Sequence, residues 1–175
     1  MRTLKRLKIV LVGNVGVGKT KLLHKMAQNY LNTNLQVVHR FARIDNDIVK
    51  LDFYDTLGTE GRANSIIPQL HRGANLVFFV YKAGDEYSLQ AIEAWRFVVQ
   101  RSTQEFEEIV LGNAIGADWK ADKGGEGEGI IVRNDEEVEE LLIKGVRACL
   151  ENERFTYEEV QDQWDAKGKQ RSKCW

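Results

Sequence analysis

Along the first two thirds of the chain, aliphatic runs alternate with stretches whose apolar residues recur at helical spacing. Leu7–Val12 (LKIVLV) is almost continuously apolar, the pattern of a strand buried on both faces. In Lys19–Tyr30, Leu22, Leu23, Met26 and Tyr30 fall on one helical stripe. Gln36–Ile44 and Asp47–Tyr54 are rich in β-formers and meet at Asp45-Asn46, which predicts an antiparallel hairpin. Asn75–Tyr81 (NLVFFVY) reads as another buried strand. Tyr87–Gln100 reads as a helix with Leu89, Ile92, Trp95 (or Phe97) and Val99 inward, which makes Trp95 a core residue. Ile109–Leu111 is a third short aliphatic strand. Strands separated by helical segments predict an α/β fold on a parallel sheet.

The last third carries weaker signals. Ala114–Gly129 is polar and glycine-rich and reads as a flexible loop. Ile130–Val132 is too short for its pattern to assign. Asp135–Leu150 is a helix with Val138, Leu141, Leu142, Val146 and Cys149 or Leu150 as its apolar stripe. Its first turns are acidic, as the helix dipole favours. Thr156–Trp164 is a candidate for one more helix. Lys167–Lys173 holds four basic residues and no acid, which reads as a solvated tail. The expected organisation is a domain over 1–152 and a partly helical C-terminal extension over 153–175 with a basic tail.

Composition narrows the function classes. A chain of 175 residues fits one domain, and 43% apolar with 29% charged residues is a globular balance. With 25 basic and 26 acidic side chains, no global field points to nucleic acid or a membrane. The basic start Met1–Lys8 is followed by no long apolar stretch, so no secretory signal is expected. Cys149 and Cys174 cannot by themselves build a disulfide framework or a four-ligand zinc site, which points to a reducing, cytoplasmic setting. His24, His39 and His71 are scattered rather than clustered and read as ordinary surface or core residues.

The sharpest chemical signal is Gly13-Asn14-Val15-Gly16-Val17-Gly18-Lys19-Thr20, which matches the phosphate-loop pattern G-x4-G-K-[ST]. A chance match of its four fixed positions in a chain of this length is about 1% or less. A strand leads in and a helix leads out. Glycines let successive backbone N–H groups curl around phosphate oxygens, and the helix N-terminus adds positive potential. Lys19 is then placed for the β- and γ-phosphates and the Thr20 hydroxyl for Mg²⁺. Asp55-Thr56-Leu57-Gly58 stands at the end of a strand, where ligands bind in parallel sheets. Asp55 is thereby a candidate holder of Mg²⁺ through water, and the Gly58 N–H a candidate γ-phosphate contact.

GNVGVGKT, KLDFYDTLGTE and HRGANLVFFVYKAGDEYSLQAIEAW together resemble the Ras superfamily of small GTPases, most closely its Rab-like branch, over about Leu4–Asn113. The resemblance implies a P-loop NTPase fold: a six-stranded, mostly parallel sheet with one antiparallel strand pair and helices on both faces. It implies a Mg²⁺-dependent GTP/GDP switch whose loops are ordered by the γ-phosphate. It also implies effector, exchange-factor and GTPase-activating partners at switch regions near 31–40 and 57–72. A role in membrane or vesicle traffic, with peripheral membrane association, belongs to the same implication.

The departures are specific. The family's water-orienting Gln falls on Thr59, which implies slow hydrolysis. Val15 stands where the family usually has Gly or Ser. The switch I Thr, a Mg²⁺ ligand in the family, has only Thr33 as a counterpart. Of the guanine motif N-K-x-D, Asn113 is kept, Gly116 replaces the Asp, and Asp118 lies two positions later. The family's S-A-K loop falls near Ile131-Val132-Arg133 without a recognisable match. The stretch between these motifs is short by roughly a helix. C-terminal cysteines carry prenyl groups in Rab-like proteins, but Cys174-Trp175 is neither a double-cysteine nor a C-a-a-X ending. The competing reading is a pseudo-GTPase, a nucleotide-binding scaffold without catalysis. A P-loop kinase would need an Arg-bearing lid, and Ala114–Arg133 offers a single arginine.

Overall fold

The computed structural model describes residues 3–28, 37–45, 47–56, 67–116, 129–152 and 160–161. The elements run β1 (Thr3–Val12), α1 (Lys19–Ala27), β2 (Val37–Ile44), β3 (Asp47–Asp55), α2 (Ile67–His71), β4 (Leu76–Lys82), α3 (Glu86–Gln90), α4 (Ile92–Gln100), β5 (Glu107–Asn113), β6 (Ile130–Val132), α5 (Asp135–Glu151) and β7 (Val160–Gln161). The main path of the sheet is β2-β3-β1-β4-β5-β6. Along that path the pairs are parallel except for the β2–β3 hairpin, so the expected six strands with one antiparallel pair are present, and β7 adds a seventh strand antiparallel to β1.

β1 is buried on both faces because its side chains alternate between two cores. Leu7, Ile9 and Leu11 join α1 and the α5 stripe Val138, Leu141, Leu142, Val146 and Cys149. Val10 and Val12 join Phe79, Tyr81, Ile92 and Val99 under α4. The α5 helix opens with Asp135, Glu136 and Glu137 in its first turn, as expected, and Asn134 caps it, its Oδ1 accepting from the Glu137 N–H at 2.9 Å. Arg40 ties α1, β2 and α5 together, donating to Met26 O at 2.7 Å and to the Glu139 carboxylate.

Several boundaries differ from the sequence pattern. The first helix stops at Ala27, because Gln28 turns left-handed at φ 49 and donates its N–H to Lys25 O. Tyr87–Gln100 divides into α3 and α4 at Ala91, whose backbone stays right-handed helical. Of the two inward candidates, Trp95 packs against the core and Phe97 is 63% exposed. β6 exists because Ile130 and Val132 pair with Leu111 and Asn113, a tertiary cause that a three-residue pattern cannot carry. Within Thr156–Trp164, expected as helix, Val160–Gln161 is a strand antiparallel to Thr3–Leu4. That edge of β1 is open there, since β4 begins only opposite Ile9, and ladder hydrogen bonds override local helical spacing. The rest of that segment, most of the loop Ala114–Gly129 and the basic tail lie outside the described residues. Among the described residues no helix is long and apolar enough to cross a membrane.

His71 closes α2 and is fully buried, with neither ring nitrogen hydrogen-bonded among the described residues. Burial, with the Lys8 charge adding to it, pushes its pKa down to about 4. Its carbonyl is the polar anchor, accepting from Thr103 Oγ1 at 2.6 Å and from the Ala74 N–H at 3.0 Å.

Candidate nucleotide site

The phosphate loop leaves the carboxyl end of β1. Gly13 has φ 150, and a Cβ there would lie 2.1 Å from Val80 O on β4, so no side chain fits. Gly18, at φ 95, opens α1, and a Cβ on it would lie 2.3 Å from Asn113 Nδ2. Val17 is buried and fastens the loop to the core. Lys19 is the first helical residue and only 6% exposed. Its Nζ donates to Gly13 O at 2.7 Å and to Asn14 O at 2.8 Å. The ammonium is thus held inside the curl of its own loop. The N–H groups of the first α1 turn lack intrahelical partners and add positive potential at the same place. Val15 projects outward, 72% exposed.

Asp55 ends β3 one residue beyond the expected strand. The parallel register sets it opposite Leu11, at the end of β1 where the loop begins. It is buried, and Thr56 beside it donates from Oγ1 to Leu11 O at 3.1 Å. Thr20 stands in the first turn of α1. A hydroxyl and a carboxylate are hard oxygen donors of the kind Mg²⁺ takes together with nucleotide phosphates. The close approach of Gly13 to Val80 and the Lys19 bonds to Gly13 O and Asn14 O give this turn the curled, glycine-dependent backbone that phosphate loops use. The residues described therefore fit a Mg²⁺–nucleotide. Gly58, Thr59 and Thr33 lie outside the described residues.

At the other end of the site, β5 finishes in Asn113, between Lys82 of β4 and Val132 of β6. The Asn113 amide does two things. Nδ2 donates to Val17 O at 2.9 Å, and Oδ1 accepts from the Ile115 N–H at 3.1 Å. It braces the phosphate loop from the side of β5. Gly116 has φ 73 with open space where a side chain would stand, and Asp118 lies outside the described residues. Near Ile131-Val132-Arg133, the Arg133 N–H is engaged by Glu137 Oε2 at 2.6 Å as part of the α5 start.

Trp95 is the site contact that the sequence pattern missed. Its ring is core, as expected, but its Nε1 donates to Asn14 Oδ1 at 2.9 Å. The available signal was chemical: a Trp on an inward stripe has an N–H that needs a partner.

The comparisons with known proteins agree with this geometry. The sequence model of the Ras family matches residues 8–141. The chain is 32% identical over 113 residues to the Ras-related protein Rab-8B of Bos taurus, covering 61% of this chain and 54% of that protein. It is 31% identical over 120 residues to the Ypt/Rab-type GTPase avaA of Emericella nidulans, covering 62% and 58%. To the Ras-related protein Rab-7b of Bos taurus it is 30% identical over 119 residues, covering 62% and 59%. The chain thus spans little more than half the length of these relatives. The family match runs from β1 into α5 and takes in the phosphate loop, Asp55 and Asn113, so this chain is a Rab-like member of the Ras family.

Proposed function

We propose that the chain is a GTP- and GDP-binding switch that works with Mg²⁺ in membrane or vesicle traffic and hydrolyses GTP slowly. The observation that carries this reading is the phosphate loop itself, with Lys19 drawn onto Gly13 O and Asn14 O beside Asp55. In it, the loop N–H groups and Lys19 bind the phosphates, Thr20 and Asp55 hold the metal, and Gly58 and Thr33 serve the γ-phosphate and the metal as switch residues. Mg²⁺, when bound, neutralises charge on the phosphate oxygens. Effectors, exchange factors and GTPase-activating proteins are expected at 31–40 and 57–72, and membrane contact as peripheral. Nucleic acid is not an expected partner.

Slow hydrolysis follows from two residues. Thr59 lacks the amide with which Gln accepts from water and donates to phosphate, and Val15, exposed on the loop, stands in the way of an arriving arginine. Catalysis of this kind is positioning plus charge stabilisation, and two losses at one site need not add, because they act as a unit. Single-turnover hydrolysis of bound GTP is the measurement. The rate should rise in the Thr59→Gln, Val15→Gly double variant, and an unchanged rate sinks the argument.

Binding itself is tested by Lys19→Ala. Removing a hydrogen-bonded charge from the phosphates should weaken nucleotide binding by about 2–4 kcal/mol. Equal nucleotide content in parent and Lys19→Ala, read by HPLC of the denatured protein, would show a vestigial loop.

A second reading has one observation in its favour. Asn113 spends its side chain on Val17 and Ile115, and Gly116 offers only backbone, so the described base end has no carboxylate. That is the arrangement of a pseudo-GTPase scaffold if Asp118 does not reach the base. Bound GTP that stays unhydrolysed even in the Thr59→Gln, Val15→Gly double variant, with normal affinity, would favour it over the switch.

A further inference from the structure

Two hydrogen bonds converge on Asn14, the residue after the first glycine of the phosphate loop. Its carbonyl accepts from Lys19 Nζ at 2.8 Å, and its side-chain Oδ1 accepts from Trp95 Nε1 at 2.9 Å. The second bond joins residues 81 positions apart, from α4 to the loop. An indole N–H only donates, so the Asn14 atom facing it must be the amide oxygen and its side-chain rotamer is set. The Trp95 ring packs with Leu89 and Phe106 on the cluster of Val10, Phe79 and Ile92, so the donor stands on a rigid element. Beyond Asn14, Val15 and Gly16 are exposed among the described residues. The next fixed point is Val17, held by burial and by Asn113.

We propose that Trp95 is a positioning residue of the phosphate site, pinning Asn14 so that the loop is shaped before nucleotide arrives. This rests on the nucleotide-binding reading above. The peptide carbonyls of Gly13 and Asn14 aim the Lys19 ammonium, and their directions depend on how Asn14 is held. A pinned Asn14 keeps that aim when the loop is empty, which lowers the ordering cost of binding. The consequence falls on the lifetime of the complex more than on its formation, because changes within one interface act mainly through dissociation.

Trp95→Phe keeps most of the ring and deletes the donor. Release of a fluorescent GDP analogue in Mg²⁺ should become about 3–10-fold faster, on the order of 1 kcal/mol, while association changes by less than about twofold. Asn14→Ala should speed release comparably, and the double variant should release no faster than Asn14→Ala alone. A protein retaining Trp95 with Trp119, Trp164 and Trp175 changed to Phe supplies the spectroscopic readout. Its emission without nucleotide should shift when Asn14→Ala is introduced, because the indole N–H loses its acceptor before any nucleotide is present.

Release from Trp95→Phe at the parent rate overturns the proposal. So does an equal Trp95→Phe effect in the Asn14→Ala background, which would place the effect in α4 packing. If Trp95→Phe does not fold, the Asn14→Ala release rate and the single-Trp emission decide from the loop side, and no change in either overturns it. A parent that holds no nucleotide at all fails the underlying reading and this inference together. A parent that binds, a Lys19→Ala variant that does not, and a Trp95→Phe variant matching the parent fail this inference alone.

Discussion

At the phosphate end of the site, Gly13–Thr20 is fastened from several sides: by Val80 against Gly13, by Trp95 on Asn14, by Asn113 on Val17, and by Lys19 on its own carbonyls. At the base end, Asn113–Gly116 has one polar side chain, already committed to the loop, and a glycine facing open space. The difference lies in what each end is made of. Phosphate recognition is built from backbone N–H groups, which nearly any sequence supplies once the glycines allow the curl. Base recognition is built from a particular carboxylate, and one substitution removes it. A family member can therefore drift at the base end while its phosphate end stays complete.

The largest effect should come from Gly13→Ala. Its Cβ would stand 2.1 Å from a backbone oxygen, which cannot swing aside as a side chain would. We expect loss of nucleotide binding and destabilisation of about 3 kcal/mol or more, read by urea unfolding. A stable, binding-competent Gly13→Ala protein would break the claim that the loop depends on close backbone approach.

pH sets the window in which the two ends can be compared. His71 is neutral in the fold down to about pH 4, whereas an unfolded histidine takes a proton near 6.5. The unfolded state binds more protons between those values, so stability is full above about 6.5 and falls as pH drops towards 4. The loss attributable to His71 is on the order of 3 kcal/mol. His71→Leu should flatten that part of the stability–pH curve, and an unchanged slope would assign it elsewhere. Nucleotide assays belong above the window.

Asn113→Ala sharpens the comparison. If Asn113 serves the loop, GTP and ATP affinities should fall together, by about 1–3 kcal/mol for the unsatisfied Val17 carbonyl and the loosened Gly18. A fall confined to GTP would mean that Asn113 reads the base.

The smallest expected difference is between the two nucleotides in the parent. With Gly116 at the position of the family's Asp, GTP and ATP should differ by about tenfold or less, ~1.4 kcal/mol. Asp118→Ala should leave that ratio alone. Strong guanine preference that collapses in Asp118→Ala would show the carboxylate displaced rather than lost, and the contrast between the two ends would narrow.

The amino-acid sequence by itself determined the local features. A continuous aliphatic run made β1 a buried strand, and the 3.6-residue stripe of α5 placed Val138, Leu141, Leu142, Val146 and Cys149 inward. The glycine pattern with Lys19-Thr20 located the tight turn from β1 into α1. These are legible because periodicity and glycine placement act within a few residues of chain. Tertiary structure alone decided the rest. Three-residue β6 exists only through β5, and Val160–Gln161 became a strand only because the edge of β1 is open beside it. Asn113 was expected at the base, and its position between β4 and β6 also sets one N–H of its amide on Val17 O. Trp95 looked like core alone, and α4 carried its N–H to Asn14. In each case the partner lies far away in sequence, and no local pattern encodes which distant hydrogen-bonding group folding will bring within 3 Å.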